Sequence, residues 1–182
     1  MIQHILLDQD GILANFFNAA LEVHGREDLA GEWPKGVWAM ETVMGLTPAE
    51  FWEPLDHYGF WRETVCPYPR IVWFYQELSR RLPVVICTSP SENSQCAAAK
   101  IDWLRHYLGK DVKYMIGAQK HLMARPSNLL IDDSDKNVGM FRAAGGTAIL
   151  FPCVWNSQHA VTEDPYEYVI QRVDALLATP AQ

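Results

Sequence analysis

The sequence of 182 residues contains no Cys-x-x-Cys pair. Its four cysteines, Cys66, Cys87, Cys96 and Cys153, combine with the histidines in no zinc-ligand spacing. A zinc module is therefore not expected. Reduced thiols in a cytoplasmic protein are, with Cys87, inside an apolar run, a small core residue. No apolar stretch approaches the roughly 18–20 residues of a membrane span. The N-terminal segment lacks the basic start and long apolar core of a signal peptide, and a carboxylate appears by position 8. Positive charge is in short supply. The net charge is −7, and the aromatic residues are not interleaved with basic ones. A nucleic-acid polymer is not the expected partner. Internal repeats and low-complexity segments are absent.

What is present suits one enzyme-sized domain. Hydrophobic residues make up 49% of the chain, enough for a sizeable core with room for a small insertion. Five short apolar runs predict strands: Ile2–Leu7, Val84–Cys87, Val112–Ile116, Leu129–Ile131 and Thr147–Phe151. Helical patterns lie between them. Ile71, Phe74, Leu78 and Leu82 recur at helical spacing, as do Ile101, Leu104 and Leu108, with Gly109 placed as a C-cap. Val138–Ala144 reads as a short helix. Tyr166, Val169, Ile170, Val173, Leu176 and Leu177 form the apolar stripe of a closing helix. Residues 180–182 read as a frayed tail. Alternating strands and helices predict an α/β fold, a central parallel sheet covered on both faces.

The stretch from about 14 to 68 breaks this alternation. It is rich in rings: Phe16, Phe17, Trp33, Trp38, Phe51, Trp52, Tyr58, Phe60 and Trp61. Short helices joined by turns are expected, with a turn at Trp33-Pro34-Lys35-Gly36. Thr47-Pro48, with Glu50 after it, reads as a capping box with proline at the first helical position. The division is a core of residues 1–13 and 69–182 with a small helical cap, 14–68, inserted after the first strand.

The chemistry concentrates at strand ends. The first strand runs into Asp8-Gln9-Asp10-Gly11. Ligands of open α/β sheets bind beyond the C-terminal ends of such strands. Two carboxylates this close raise each other's pKa, and a divalent cation with a taste for hard oxygen ligands, Mg²⁺, relieves them. The second strand ends in Thr88-Ser89, whose hydroxyls can donate to phosphate oxygens. Lys120 follows the third strand and offsets negative charge. The fourth ends in Asp132-Asp133, a second carboxylate pair. Each signal alone is common in turns and on surfaces. Their order, each after an apolar strand, is not.

That order resembles the haloacid dehalogenase-like phosphohydrolase superfamily over nearly the whole chain. Asp8-Gln9-Asp10-Gly11 resembles its first motif, Thr88 its second, Lys120 its third and Asp132-Asp133 its fourth. Ile86-Cys87-Thr88-Ser89-Pro90 and Lys100-Ile101-Asp102-Trp103 are more specific. They are similar to the 5′(3′)-deoxyribonucleotidases. The resemblance implies a three-layer, Rossmann-like core and a Mg²⁺-dependent hydrolase of nucleoside monophosphates. Asp8 would be the nucleophile and Asp10 the acid and base. Thr88, Ser89, Lys100 and Lys120 would hold phosphate. Asp8, Asp10 through its backbone carbonyl, Asp132 and Asp133 would hold the metal. Phe16, Trp38 and Trp52 would surround the base, while Trp33 and Trp61 are assigned to packing. A homodimer is implied by the resemblance alone.

Departures from the family pattern at Asn15, Val37, Ser91 and Ala118 leave base and sugar preference open. Also open are a phosphatase acting on another small phosphomonoester and a nucleotide-binding protein without turnover.

Overall fold

The computed structural model describes residues 1–178. The expected frayed tail lies outside them. Five parallel strands form one sheet: β1 (His4–Leu7), β2 (Val84–Thr88), β3 (Tyr114–Ile116), β4 (Asn128–Asp132) and β5 (Thr147–Leu150). Their order is β3-β2-β1-β4-β5. The fold is α/β with a central parallel sheet, as the alternation of patterns predicts. The outer ends of the strands shift for local reasons. β1 starts at His4 because Gln3 and His4 both donate their backbone N–H to Ser127, at the mouth of β4. Val112 does not join β3, since its N–H closes a turn onto Gly109.

Parallel neighbours need helical crossovers, and these bury both faces of the sheet. Ile5, Leu7, Ile86, Leu129, Leu130 and Ile131 are completely buried. The crossovers are α4 (Ile71–Arg81), α5 (Ser94–Leu108) and α6 (Asp135–Ala143), and the chain closes with α7 (Pro165–Ala178). The chain steps outward from β1 to β2 and β3, then crosses back to β4 and β5. The direction reverses between β1 and β4, the switch point where doubly wound sheets open a crevice. Register completes the placement. Leu7 pairs with both Ile86 and Ile131, so Asp8 and Asp132 emerge side by side, next to the end of β2.

Residues 14–68 form short elements: α1 (Phe16–Val23), α2 (Met40–Met44), α3 (Pro48–Trp52), a 3₁₀ turn at Glu27–Gly31 and a π turn at Phe60–Thr64. The capping box is complete. Thr47 Oγ1 accepts from the N–H of Glu50, whose carboxylate accepts from the N–H of Thr47 at 2.8 Å. Asn15, one of the departures, caps α1 by accepting from the N–H of Asn18. Trp33 is buried, edge-on to Phe17 at 4.8 Å, as its assignment to packing requires. Trp103, fully buried on α5, donates its indole N–H to the carbonyl of Val65 at 2.7 Å. That bond ties the end of the ring-rich stretch to the layer over the sheet. Cys87 is buried in the core, and burial pushes its thiol up to about 12. All four cysteines are free.

Candidate active site

Asp8, Asp132 and Asp133 bring carboxylate oxygens within 4.8 Å of one another, and all three are buried. Sequence proximity cannot do this, because β1 and β4 are about 120 residues apart; the parallel register does. Lys120, on a 3₁₀ turn at Lys120–Met123, enters the cluster buried. Its Nζ lies 2.7 Å from Asp8 Oδ2 and 2.7 Å from Asp132 Oδ2. Burial alone would lower an ammonium, but Asp8 and Asp132 outweigh it and hold Lys120 above its usual range. One ammonium does not balance three carboxylates. Burial, opposed by Lys120 but reinforced by Asp132 and Asp10, raises Asp8 to about 7. Burial, with Asp8 and Asp132 beside it, also raises Asp133 well above the usual carboxylate value.

The two residues of the fourth motif are held differently. Asp132 is saturated: its oxygens accept from Lys120, from the Ser134 N–H at 2.9 Å and from Asn137 Nδ2 at 3.1 and 3.2 Å. Asp133 lines the crevice, and among the described residues only its Oδ2 is engaged, by the indole N–H of Trp155 at 2.8 Å. Asn156, also buried, donates to the Asp133 carbonyl at 2.8 Å and fixes the backbone. Gly11 makes room. It sits at φ +74°, and a Cβ there would stand 2.2 Å from Asp133 Oδ2.

Asp10 turns away from this cluster toward Lys100. The Lys100 ammonium pairs with Asp10 Oδ2, reaches Thr88 Oγ1 at 3.1 Å and lies 4.3 Å from the centre of the Trp61 ring. Lys100 and Thr88 are sealed, each 1% exposed or less. Lys100 is therefore not a solvated lysine on a helix surface. Asp10 Oδ1 is buried with no partner among the described residues.

Two cavities meet here. One, of about 500 Å³, is lined by Asp8, Lys120, Asp133, Lys136 and Asn137. The other, of about 570 Å³, is lined by Phe16, Trp38, Trp52 and Trp61. Asp10, Trp38 and Ser89 line both. Phe16 is central to the second: its ring lies 5.2 Å from Trp61, 6.0 Å from Trp52 and 6.2 Å from Trp38. Phe16 and Trp61 are buried, whereas Trp38 and Trp52 are about half exposed, at 48% and 42%. Trp61, assigned to packing from the sequence, packs and also walls the cavity. Thr88 and Lys100 stand behind the cavity walls, while Ser89 is in them.

The sequence reading missed Asn137, Trp155, Asn156 and Asp56. Trp155-Asn156 had a usable signal. It follows the fifth strand, at the same end of the sheet as the other motifs.

A buried, metal-ready carboxylate cluster at one end and an aromatic cavity at the other narrow the comparison with known proteins. A family model described as 5′ nucleotidase, deoxy (pyrimidine), cytosolic type C protein matches residues 1–167. The chain belongs to this family. It is a phosphoric monoester hydrolase of deoxyribonucleotidase type, within the haloacid dehalogenase-like superfamily. A Bordetella pertussis protein, provisionally named a 5′(3′)-deoxyribonucleotidase, is 32% identical over 149 residues, covering 76% of this chain and 77% of its own length. A Bordetella bronchiseptica protein with the same provisional name is 29% identical over 159 residues, covering 76% and 77%. Solved structures share the fold. A Pseudomonas syringae hydrolase superposes with a TM-score of 0.55 at 17% identity, over 97% of this chain and 99% of that one. A haloacid dehalogenase-family enzyme of Bacteroides thetaiotaomicron, solved as an Asp-to-Ala mutant with magnesium and inorganic phosphate, gives 0.51 at 13% identity, over 90% and 97%. Among the described residues of this nucleotidase-family chain, no helix is long and apolar enough to cross a membrane.

Proposed function

We propose that the protein is a Mg²⁺-dependent nucleotidase that releases phosphate from (deoxy)nucleoside 5′-monophosphates. The observation that carries this is the place of Asp10. It stands where the carboxylate-and-lysine cavity meets the aromatic one. With phosphate in the first and base in the second, the ester oxygen that joins them lies beside Asp10.

The cluster fits a divalent cation. Asp8, Asp132 and Asp133 against Lys120 leave two negative charges in excess when all are ionised. The donors are hard oxygens. Asp133 Oδ1 would make direct contact, and Asp8, whose oxygens already accept from the Gln9 N–H at 2.7 Å and from Lys120, would join through a remaining lone pair, with the Asp10 carbonyl as a further ligand, while Asp132 holds Lys120 and orients the turn. A cation held there would supply the charge that lets a phosphate dianion approach these carboxylates.

The steps belong to the side chains. Asp8 attacks phosphorus and forms an aspartyl-phosphate as the bond to the nucleoside oxygen breaks. Asp10 acts as the acid that gives a proton to that leaving oxygen. It then takes a proton from the water that attacks the intermediate, freeing phosphate and regenerating Asp8. Ser89 and Lys120 hold the phosphate oxygens. Lys100, braced by Thr88, positions Asp10 and adds positive charge behind the phosphate. Positioning and electrostatics carry most of phosphoryl transfer.

Residues 14–68 act as a cap that selects the substrate. Phe16, Trp38 and Trp52 contact the base, each stack being worth about 1–3 kcal/mol in comparable sites. Trp61 is the floor of that stack. The protein works in the cytoplasm, on a small molecule rather than a nucleic-acid polymer, and as a homodimer.

Phosphate release from a panel of nucleoside monophosphates and phosphosugars, with Mg²⁺ and with EDTA, tests the reading. Mg²⁺-dependent release from nucleotides is expected. Release from phosphosugars alone would overturn the substrate. Gly11→Ala is expected to cut release at least about tenfold, since a backbone at φ +74° strains any Cβ and this one collides with Asp133. Near-normal Mg²⁺ affinity in that variant, measured by calorimetry, would show that Asp133 is not a direct ligand.

A further inference from the structure

The aromatic cavity has one edge unlike the rest of its wall. Asp56, Ser91 and Glu92 line it, and among the described residues no lysine or arginine does. Lys120 and Lys136 line the neighbouring cavity instead. The two ends thus differ: at the phosphate end lysines stand among the carboxylates, whereas the base end has carboxylates and no lysine or arginine among the described residues.

Asp56 is built into place. It lies in the turn after α3, and Asn93 Nδ2 donates to its backbone carbonyl at 2.8 Å. Ser91 Oγ donates to Asp56 Oδ1 and accepts from the N–H of Asn93 at 3.3 Å. The hydroxyl proton of Ser91 is therefore spent on Asp56. Among the described residues, Asp56 Oδ2 accepts no hydrogen bond. What the side chains of this edge offer a ligand is acceptors and no spare donor.

We infer that Asp56 is a specificity-determining residue, and that it selects bases carrying an exocyclic amine over uracil and thymine. This rests on the nucleotidase reading and names the substrate class within it. Cytosine and uracil share ring, size and stacking face. At position 4 cytosine presents an N–H donor and uracil a carbonyl oxygen. A carboxylate accepts from the first and meets lone pairs on the second. A site shaped around a hydrogen bond rejects the partner that cannot make it, because its own polar group is left unpaired. Ser91 matters through Asp56. A polar residue in an otherwise aromatic wall fixes the carboxylate's direction.

The test compares kcat/KM for dCMP and dUMP in the wild-type enzyme and in Asp56→Asn. The wild type should favour dCMP at least about tenfold, the scale of a hydrogen bond to a charged group. Asp56→Asn keeps the shape, and its oxygen still accepts from Ser91, but it turns an N–H₂ toward the base. The ratio should fall to parity or invert, with dUMP turnover held or raised while dCMP turnover falls. A misfolded variant would lose both. Equal or better turnover of dUMP by the wild type overturns the assignment without any variant. So does a dCMP preference that survives Asp56→Asn. No release from either nucleotide overturns the nucleotidase reading itself, and this assignment with it.

Discussion

Asp8→Asn is expected to abolish phosphate release and, in EDTA above pH 7, to raise the melting temperature. The first effect follows from chemistry. An amide cannot attack phosphorus to form the acyl-phosphate, and loss of a covalent nucleophile costs roughly 10⁴-fold or more in kcat. The second follows from burial. Asp8 is raised from an ordinary 3.8 to about 7, burial and two neighbouring carboxylates outweighing Lys120. The folded protein therefore holds a proton that the unfolded chain gives up at lower pH. The contribution of Asp8 to stability is full below about pH 4 and is lost as pH rises through about 7. At 1.36 kcal/mol per unit, the rise from 3.8 to about 7 makes that loss on the order of 4 kcal/mol. The amide does not titrate and escapes it. Thermal melts in EDTA at pH 5 and pH 8 should show the variant's advantage only at the higher pH. Turnover near wild type would remove Asp8 as nucleophile. A variant that melts lower at pH 8 would show that the bond to Lys120 outweighs burial.

Lys120→Ala carries the second large effect, and here the structure changes what the sequence suggests. A lysine after a strand reads as a group that serves the transition state more than the fold. Lys120 is 2% exposed and is the ammonium shared by Asp8 and Asp132. Removing one partner of a buried pair leaves the other charged and unsolvated, at about 3–5 kcal/mol. Both stability and activity should fall, kcat/KM by about 10²–10³-fold in protein that remains folded, as when a preorganised charge-stabilising donor is removed. The stability loss should be smaller at pH 5, where Asp8 is protonated, and Mg²⁺ should restore part of it at pH 8. Urea melts with and without Mg²⁺ separate these outcomes. An unchanged kcat/KM would take Lys120 out of the site.

Much of this was legible in the chain itself. The five strands, the closing helix and the Thr47 capping box follow from local pattern, because buried strands, helix faces and caps are specified by residues a few positions apart. The four strand-end motifs were legible for the same reason. Each is a short polar group directly after an apolar run, and the resemblance they carry named the family. Lys100 was readable as a site candidate only through its match to the Lys-x-x-Trp helix. Nothing local distinguishes it from a surface lysine on α5.

The tertiary structure decided what those residues do to one another. Local pattern set where β1 and β4 lie, but their parallel register put Asp8 against Asp132, where the two share one ammonium with a third carboxylate close by. It gave Asp132 and Asp133 different surroundings, although they are adjacent in the chain. It turned Asp10 to Lys100 at the meeting of two cavities, and it set Asp56 and Ser91 into an aromatic wall. Secondary structure and motif identity depend on neighbours along the chain, and a sequence displays those directly. Charge balance, hydrogen-bond saturation and the shape of a cavity depend on neighbours across space, which for Asp8 and Lys120 means partners more than a hundred residues away.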